Sequence, residues 1–162
     1  QRLQNVVAVC LGGARRRDSV RAGLKHLPHS DWTVIHDGAR PLVDLDIISR
    51  GLEVVTETGA ASAAVPVTDT IKTAGADMVV SGTLDRSSLW SAQTPQVFRA
   101  ALLAEAHRAV ADDVTDDAAM VEAMGGKVKL FLGSYENIKV TTPEHISLAT
   151  AILEARRRAR AP

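Results

Sequence analysis

The sequence predicts an α/β fold, with a mostly parallel sheet, helices on both faces and a projecting β-arm. Three observations point there. Apolar runs of strand length (6–11, 32–35 and 60–67) alternate with segments of helical spacing (16–27 and 45–58). The runs end in turn residues, Gly12-Gly13 and Asp37-Gly38. Between residues 68 and 88 a short, half-polar hairpin pattern interrupts the alternation.

Each element has its own signal. Val6–Leu11 reads as a buried strand, with Cys10 a buried, inert thiol within it. Val20, Leu24 and Leu27 mark a first helix, opened by Asp18 or Ser19 as its cap. Trp32–His36 is the next strand. Leu45, Ile48, Leu52 and Val55 form the apolar stripe of a helix that Asp44 caps and Gly59 stops. Ala60–Val67 is a small-residue strand. The arm pairs residues 69–73 with 78–80 around Ala74–Asp77. Trp90–Phe98 returns to the body, followed by a helix over Arg99–Val110 with Leu102, Leu103 and Ala106 inward. Thr115 is positioned to cap a helix over 116–124. Lys127–Leu132 and Ile138–Thr141 read as strands. Thr142, Pro143 and Glu144 open a final helix.

Composition narrows the function. The 162 residues fit one domain, 46% hydrophobic and 23% charged. Nineteen acids balance 19 Lys and Arg, which argues against a nucleic-acid partner. No membrane-spanning run or signal peptide is visible, and the single cysteine suits a reducing cytoplasm or a plastid stroma. The five histidines form no zinc pattern.

The chemistry concentrates in a few segments. In open α/β sheets, ligands bind outside the carboxyl ends of the strands. Asp37 ends the 32–36 strand, and Gly38 and Arg40 follow in the turn. An aspartate there can hold a metal and an arginine a phosphate, or the aspartate can simply cap the turn. Gly12-Gly13 with Ser19 can admit a ligand to a helix start, or can be a plain capped turn. Arg86, just past the arm, reads as a phosphate clamp or a surface arginine. Thr115-Asp116-Asp117 can bind a hydroxyl or phosphate at a helix start, or simply cap the helix. Lys139 sits in an otherwise apolar segment and faces either a ligand groove or a sheet edge.

Together the stretches GGARRRDSVRAGL, VIHDGARP, PVTDTIK, DRSSLWSAQTPQVF, TDDAAMVEAMG and NIKVTTPEHISLA run in order along almost the whole chain. The chain resembles the 2-C-methyl-D-erythritol 4-phosphate cytidylyltransferase family of the non-mevalonate isoprenoid pathway. The relatives that activate ribitol 5-phosphate share many of these stretches. The resemblance implies a Rossmann-like fold of the nucleotide-diphospho-sugar transferase type. It implies transfer of CMP from CTP to a sugar-alcohol phosphate, with release of pyrophosphate.

Residue by residue, the resemblance assigns Asp37 to Mg²⁺ and the nucleotide. Gly12, Gly13 and Ser19 match the base-binding turn, and Gly38 a position near the ribose. Arg40, Thr70, Arg86, Thr115 and Lys139 match substrate contacts, with Lys139 and Arg86 catalytic alongside Asp37. Thr70 and Arg86 belong to an arm that, in the family, reaches the partner subunit's site, so a homodimer is implied. The family's opening strand and Gly-rich loop, whose Arg and Lys grip the triphosphate, have no match before Val6. Ala14 stands where the family often has a polar base contact. The expectation is a single partial domain over 1–162, bearing the acceptor half of the site and turning over little alone. Ribitol-phosphate transfer and a non-catalytic dimerising or ligand-binding remnant are the alternatives.

Overall fold

The computed structural model describes residues 5–27, 29–110 and 114–159. Its elements run α1 (Arg16–Leu24), β1 (Trp32–Ile35), α2 (Leu45–Thr58), β2 (Ala60–Pro66), β3 (Lys72–Ala74) and β4 (Val80–Thr83). A 3-10 turn over Arg86–Ser88 leads to β5 (Trp90–Arg99), α3 (Ala100–Ala109), α4 (Asp117–Ala123), β6 (Lys129–Leu132) and α5 (Pro143–Ala159).

The main sheet has the order β1-β5-β2-β6. β2 pairs β6 in parallel, and β5 runs antiparallel to both β1 and β2. Three of the four strands therefore point the same way, with β5 reversed between two of them. The long β5 organises the sheet because both of its edges are taken. β1 has no partner on its other edge among the described residues.

Side chains alternate across β2 and β5 with the strand period of two. Ala60 and Phe98 face a core shared with Leu103 and Ala106 of α3 and Met120 and Val121 of α4. Ala61 and Val97 face the opposite core, with Ile47 and Val55 of α2 and Phe131 of β6. Helices thus cover both faces, as the sequence predicts. The alanines of β2 let the helices approach closely. Gly51 of α2 carries this furthest: a Cβ there would lie 2.8 Å from both the Phe131 ring and Val97.

α2 forms over the residues its end signals predict. Asp44 accepts a hydrogen bond from the Leu45 N–H, and Gly59 closes the helix at φ 80°, where glycine is unstrained. Its buried face differs from the predicted stripe. Ile47, Gly51 and Val55 point inward, whereas Leu45 is 77% and Leu52 40% exposed. A glycine at the centre of the buried face removes the apolar signal that would have marked it.

Four further expectations need correction. Val6–Leu11 forms no strand; its side chains are exposed, and so is Cys10. Among the described residues nothing pairs with its backbone, so an apolar run alone does not make a strand. Arg15, not Asp18 or Ser19, occupies the N-cap position of α1; its guanidinium holds only donors, and the Asp18 carboxylate instead accepts from the Arg15 N–H at 3.3 Å. Asp116, not Thr115, caps α4, its carboxylate accepting from the Ala119 N–H at 2.9 Å. Residues 138–141 are irregular rather than a strand. Their backbone turns to the loop after β1 instead, where the Val140 N–H donates to the Ala39 carbonyl at 2.7 Å.

The arm is a separate two-stranded sheet, β3 against β4. Residues 72–81 are exposed throughout, including Met78, Val79 and Val80 at its tip. Among the described residues, no helix is long and apolar enough to cross a membrane.

Candidate active site

The loop after β1 is held from two directions. The Asp37 N–H donates to Thr94 Oγ1 at 3.0 Å. Thr94 Oγ1 also lies within hydrogen-bond distance of His36 Nδ1, at 3.0 Å. Because a carbonyl can only accept, His36 Nε2 donates to the Arg40 carbonyl at 3.0 Å. His36 thereby closes the turn on itself and fixes Asp37 at the carboxyl end of the strand.

The segment that carries Lys139 is fastened to this turn. Asn137 is wholly buried, and its Nδ2 donates to the Thr94 carbonyl at 2.8 Å and to Gln93 Oε1 at 3.3 Å. Its own carbonyl accepts from Arg40 Nη1 at 2.7 Å. With the Val140–Ala39 bond, these contacts clamp two loops almost 100 residues apart.

Asp37 becomes the focus of three cations. Lys139 Nζ lies 3.0 Å from Oδ2, Arg40 Nε 3.7 Å from Oδ2, and Arg16 Nε 3.6 Å from Oδ1. Partial burial pushes the Asp37 carboxyl upward, but Lys139, Arg16 and Arg40 outweigh it and hold the carboxyl below its ordinary 3.8. Asp37 is therefore a committed anion at neutral pH.

These four residues line a cleft of about 220 Å³ with Gln93, Thr94, Gln96, Thr115 and Asp116. Gln96 crosses its floor, donating from Nε2 to Asp116 Oδ2 at 2.7 Å and to Ser62 Oγ at 3.2 Å. Larger hollows lie over Leu24–Arg99 and beside Gly59, but among the described residues no ion pair joins the charged residues that line either one.

Of the sequence-predicted residues, Asp37, Arg40, Thr115 and Lys139 meet in this cleft. Gly12, Gly13 and Ser19 form a neighbouring turn. The Gly13 N–H donates to Ser19 Oγ at 3.0 Å, and a Cβ on Gly13 would lie 2.2 Å from Asp18 Cβ. Gly38 is exposed in the turn, with open space around it. Thr70 and Arg86 do not line the cleft; they are exposed on the arm, where Arg86 Nη1 donates to the Thr68 carbonyl.

The sequence reading missed Thr94, Gln96, Asn137 and above all the pairing of Arg16 with Asp117. Arg15, Arg16 and Arg17 are consecutive, yet successive positions on a helix point about 100° apart. Arg15 binds Asp18, Arg16 reaches Asp37 and Asp117, and Arg17 donates to the Val110 carbonyl at the end of α3. Helical spacing was the signal that could have separated them.

Comparison with known proteins bears on the family and the fold. The family model "2-C-methyl-D-erythritol 4-phosphate cytidylyltransferase" matches residues 2–155. A protein of that name from Dehalococcoides mccartyi is 48% identical over 149 residues, covering 92% of this chain and 66% of the relative. One from Alkaliphilus oremlandii is 49% identical over 161 residues, covering 97% and 68%. This chain thus spans about two-thirds of the length of these relatives. Among solved structures, the 4-diphosphocytidyl-2C-methyl-D-erythritol synthase of Anaerococcus prevotii superposes with a TM-score of 0.81 at 34% identity, covering 88% of this chain and 68% of that one. The Thermus thermophilus 2-C-methyl-D-erythritol 4-phosphate cytidylyltransferase gives 0.79 at 36%, covering 87% and 70%. With the family model matched over nearly its whole length, the chain belongs to the 2-C-methyl-D-erythritol 4-phosphate cytidylyltransferase family.

Proposed function

We propose that this chain carries the Asp37-centred part of an active site that joins CTP to 2-C-methyl-D-erythritol 4-phosphate and releases pyrophosphate. The observation that carries the reading is the gathering of Lys139, Arg40 and Arg16 around Asp37 at a strand's carboxyl end. Joining two phosphate-bearing substrates is chiefly a matter of positioning and charge neutralisation. A cleft that mixes fixed cations with one committed carboxylate suits both tasks.

In this reading Asp37 holds the nucleotide's Mg²⁺. The residues fit that ion only in company with phosphate oxygens. Among the described residues there is no cluster of three potential ligands, and Mg²⁺ is commonly bound by one or two carboxylates plus substrate phosphates. When bound, Mg²⁺ supplies charge neutralisation on the phosphate chain. Lys139, paired to Asp37 in the free cleft, turns to the acceptor phosphate when ligand arrives. Arg40, held by Asn137, keeps a fixed cation beside it. Gly13 and Ser19 receive the cytosine base, Gly38 lies by the ribose, and Thr115 contacts the acceptor. Thr70 and Arg86 serve the site of a second copy. The exposed arm, with Met78, Val79 and Val80 uncovered at its tip, supports a homodimer built through it. The setting is the cytoplasm.

Equilibrium binding tests this. The full chain should bind CTP with Mg²⁺, and methylerythritol phosphate more tightly than ribitol phosphate. Asp37→Asn and Lys139→Ala should each weaken binding about tenfold or more, the worth of a charge-assisted contact. Equal affinity for CTP in wild type and Asp37→Asn, or equal affinity for methylerythritol phosphate in wild type and Lys139→Ala, would refute the assignment.

A further inference from the structure

Behind the cleft lie two buried residues, Asp117 and His107, that the proposed reaction does not use. The Asp117 carboxylate is wholly buried, yet both oxygens are engaged. Arg16 Nη1 donates to Oδ2 at 2.6 Å, and His107 Nε2 to Oδ1 at 3.0 Å. His107 is itself buried, and among the described residues its Nδ1 has no partner, so there the ring serves Asp117 through Nε2. A buried carboxylate is costly unless paired and hydrogen-bonded. It is nevertheless the first residue of α4, next to Asp116, which turns to Gln96 and the cleft instead.

The consequence falls on Arg16. Among the described residues its contacts are the short bond to Asp117 and the looser approach to Asp37. One side of the guanidinium is thus anchored, while Nε looks toward Asp37 and the side chain lines the cleft. An arginine fixed in this way is pre-organised to present further donors to an anion at little entropic cost. Lysine, a point charge, cannot bridge two carboxylates in the same geometry.

We infer that Arg16 is a phosphate-contacting residue of the cleft, and that Asp117, steadied by His107, is the positioning residue that aims it. This rests on the reading of the cleft as a nucleotide and acceptor-phosphate site. The phosphoryl oxygen belongs either to CTP or to methylerythritol phosphate, and separate titrations distinguish them.

The test is a double-mutant cycle on the full chain, read by NMR titration with Mg²⁺ plus CTP, with methylerythritol phosphate, and with cytidine. Arg16→Met should weaken one phosphate ligand about tenfold and leave cytidine unchanged. Asp117→Asn should weaken the same ligand comparably. The double variant should lose no more than either single one, because both remove the same contact. Arg16→Lys keeps a cation beside the buried Asp117 and should lose most of the affinity while remaining folded, as its NMR spectrum reports. If Asp117→Asn does not fold, His107→Gln takes its place in the cycle. Additive losses, or phosphate affinity unchanged in Arg16→Met and Arg16→Lys, overturn the inference. If Lys139→Ala still weakens binding in that case, the nucleotide reading survives without it. If the wild-type chain binds neither phosphate ligand, both readings fall.

Discussion

Lys139 Nζ sits 3.0 Å from Asp37 Oδ2, although the two residues are 102 positions apart and neither lies in a regular element. The pair exists because Asn137 and Val140 fasten one loop to the other. The cleft is therefore as rigid as those backbone contacts, not as loose as two surface loops. Asn137→Ala should release the Lys139 loop from Thr94 and Gln93, leaving buried acceptors unpaired. We expect a loss of about 2 kcal/mol in urea denaturation, together with weaker methylerythritol phosphate binding. Unchanged stability would show that the loop is held by other means.

Acid should expose the Asp117 anchor. Burial pushes this carboxyl upward, but the bonds from His107 and Arg16 outweigh it and hold the carboxyl below its ordinary 3.8. A carboxyl whose folded value lies below its unfolded one contributes stability above the unfolded value, and loses it as pH falls through the folded value. Stability of the wild type should thus fall as pH drops below about 3.8, and Asp117→Asn should flatten that limb. At neutral pH, Asp117→Ala should cost about 3 kcal/mol or more, because it strands Arg16 and His107. Parallel stability-versus-pH curves for wild type and Asp117→Asn would contradict this.

Gly51 tests the packing of the α2 face. A methyl group there meets Phe131 and Val97 at 2.8 Å, in a core where both are buried. Gly51→Ala should destabilise by about 1–3 kcal/mol through overpacking, despite alanine's better helix propensity. A higher melting temperature would show that Phe131 can swing aside.

The arm tests the homodimer. Val79→Asp places a charge among the exposed apolar residues at the tip, away from the core. Sedimentation should show a dimer for wild type and a shift toward monomer for the variant, with the melting curve of the body unchanged. A variant that stays as dimeric as the wild type would move the interface elsewhere.

Much of this was legible because its causes are local. Asp44 and Gly59 bound α2 by capping chemistry, and Asp37-Gly38 marks a strand's end by its turn residues. The four cleft residues Asp37, Arg40, Thr115 and Lys139 were each visible as polar residues at the edge of apolar segments. What was hidden is long-range. Arg16 and Asp117 are 101 positions apart, and nothing near either one marks the other. The 138–141 stretch has strand composition, but its N–H at Val140 is claimed by Ala39, so no ladder forms. Val6–Leu11 has the composition of a strand, yet its backbone finds no ladder partner among the described residues. Side-chain pattern reports which faces are apolar; it does not report which backbone will answer.

The most direct measurement is paramagnetic broadening of backbone NMR signals by Mn²⁺, used in place of Mg²⁺, with CTP on the full chain. The account predicts that Asp37, Gly38 and the Lys139 loop broaden first, only when nucleotide is present, and that Asp37→Asn abolishes the effect. Broadening that spares Asp37, or that persists unchanged in Asp37→Asn, would contradict the assignment of this cleft.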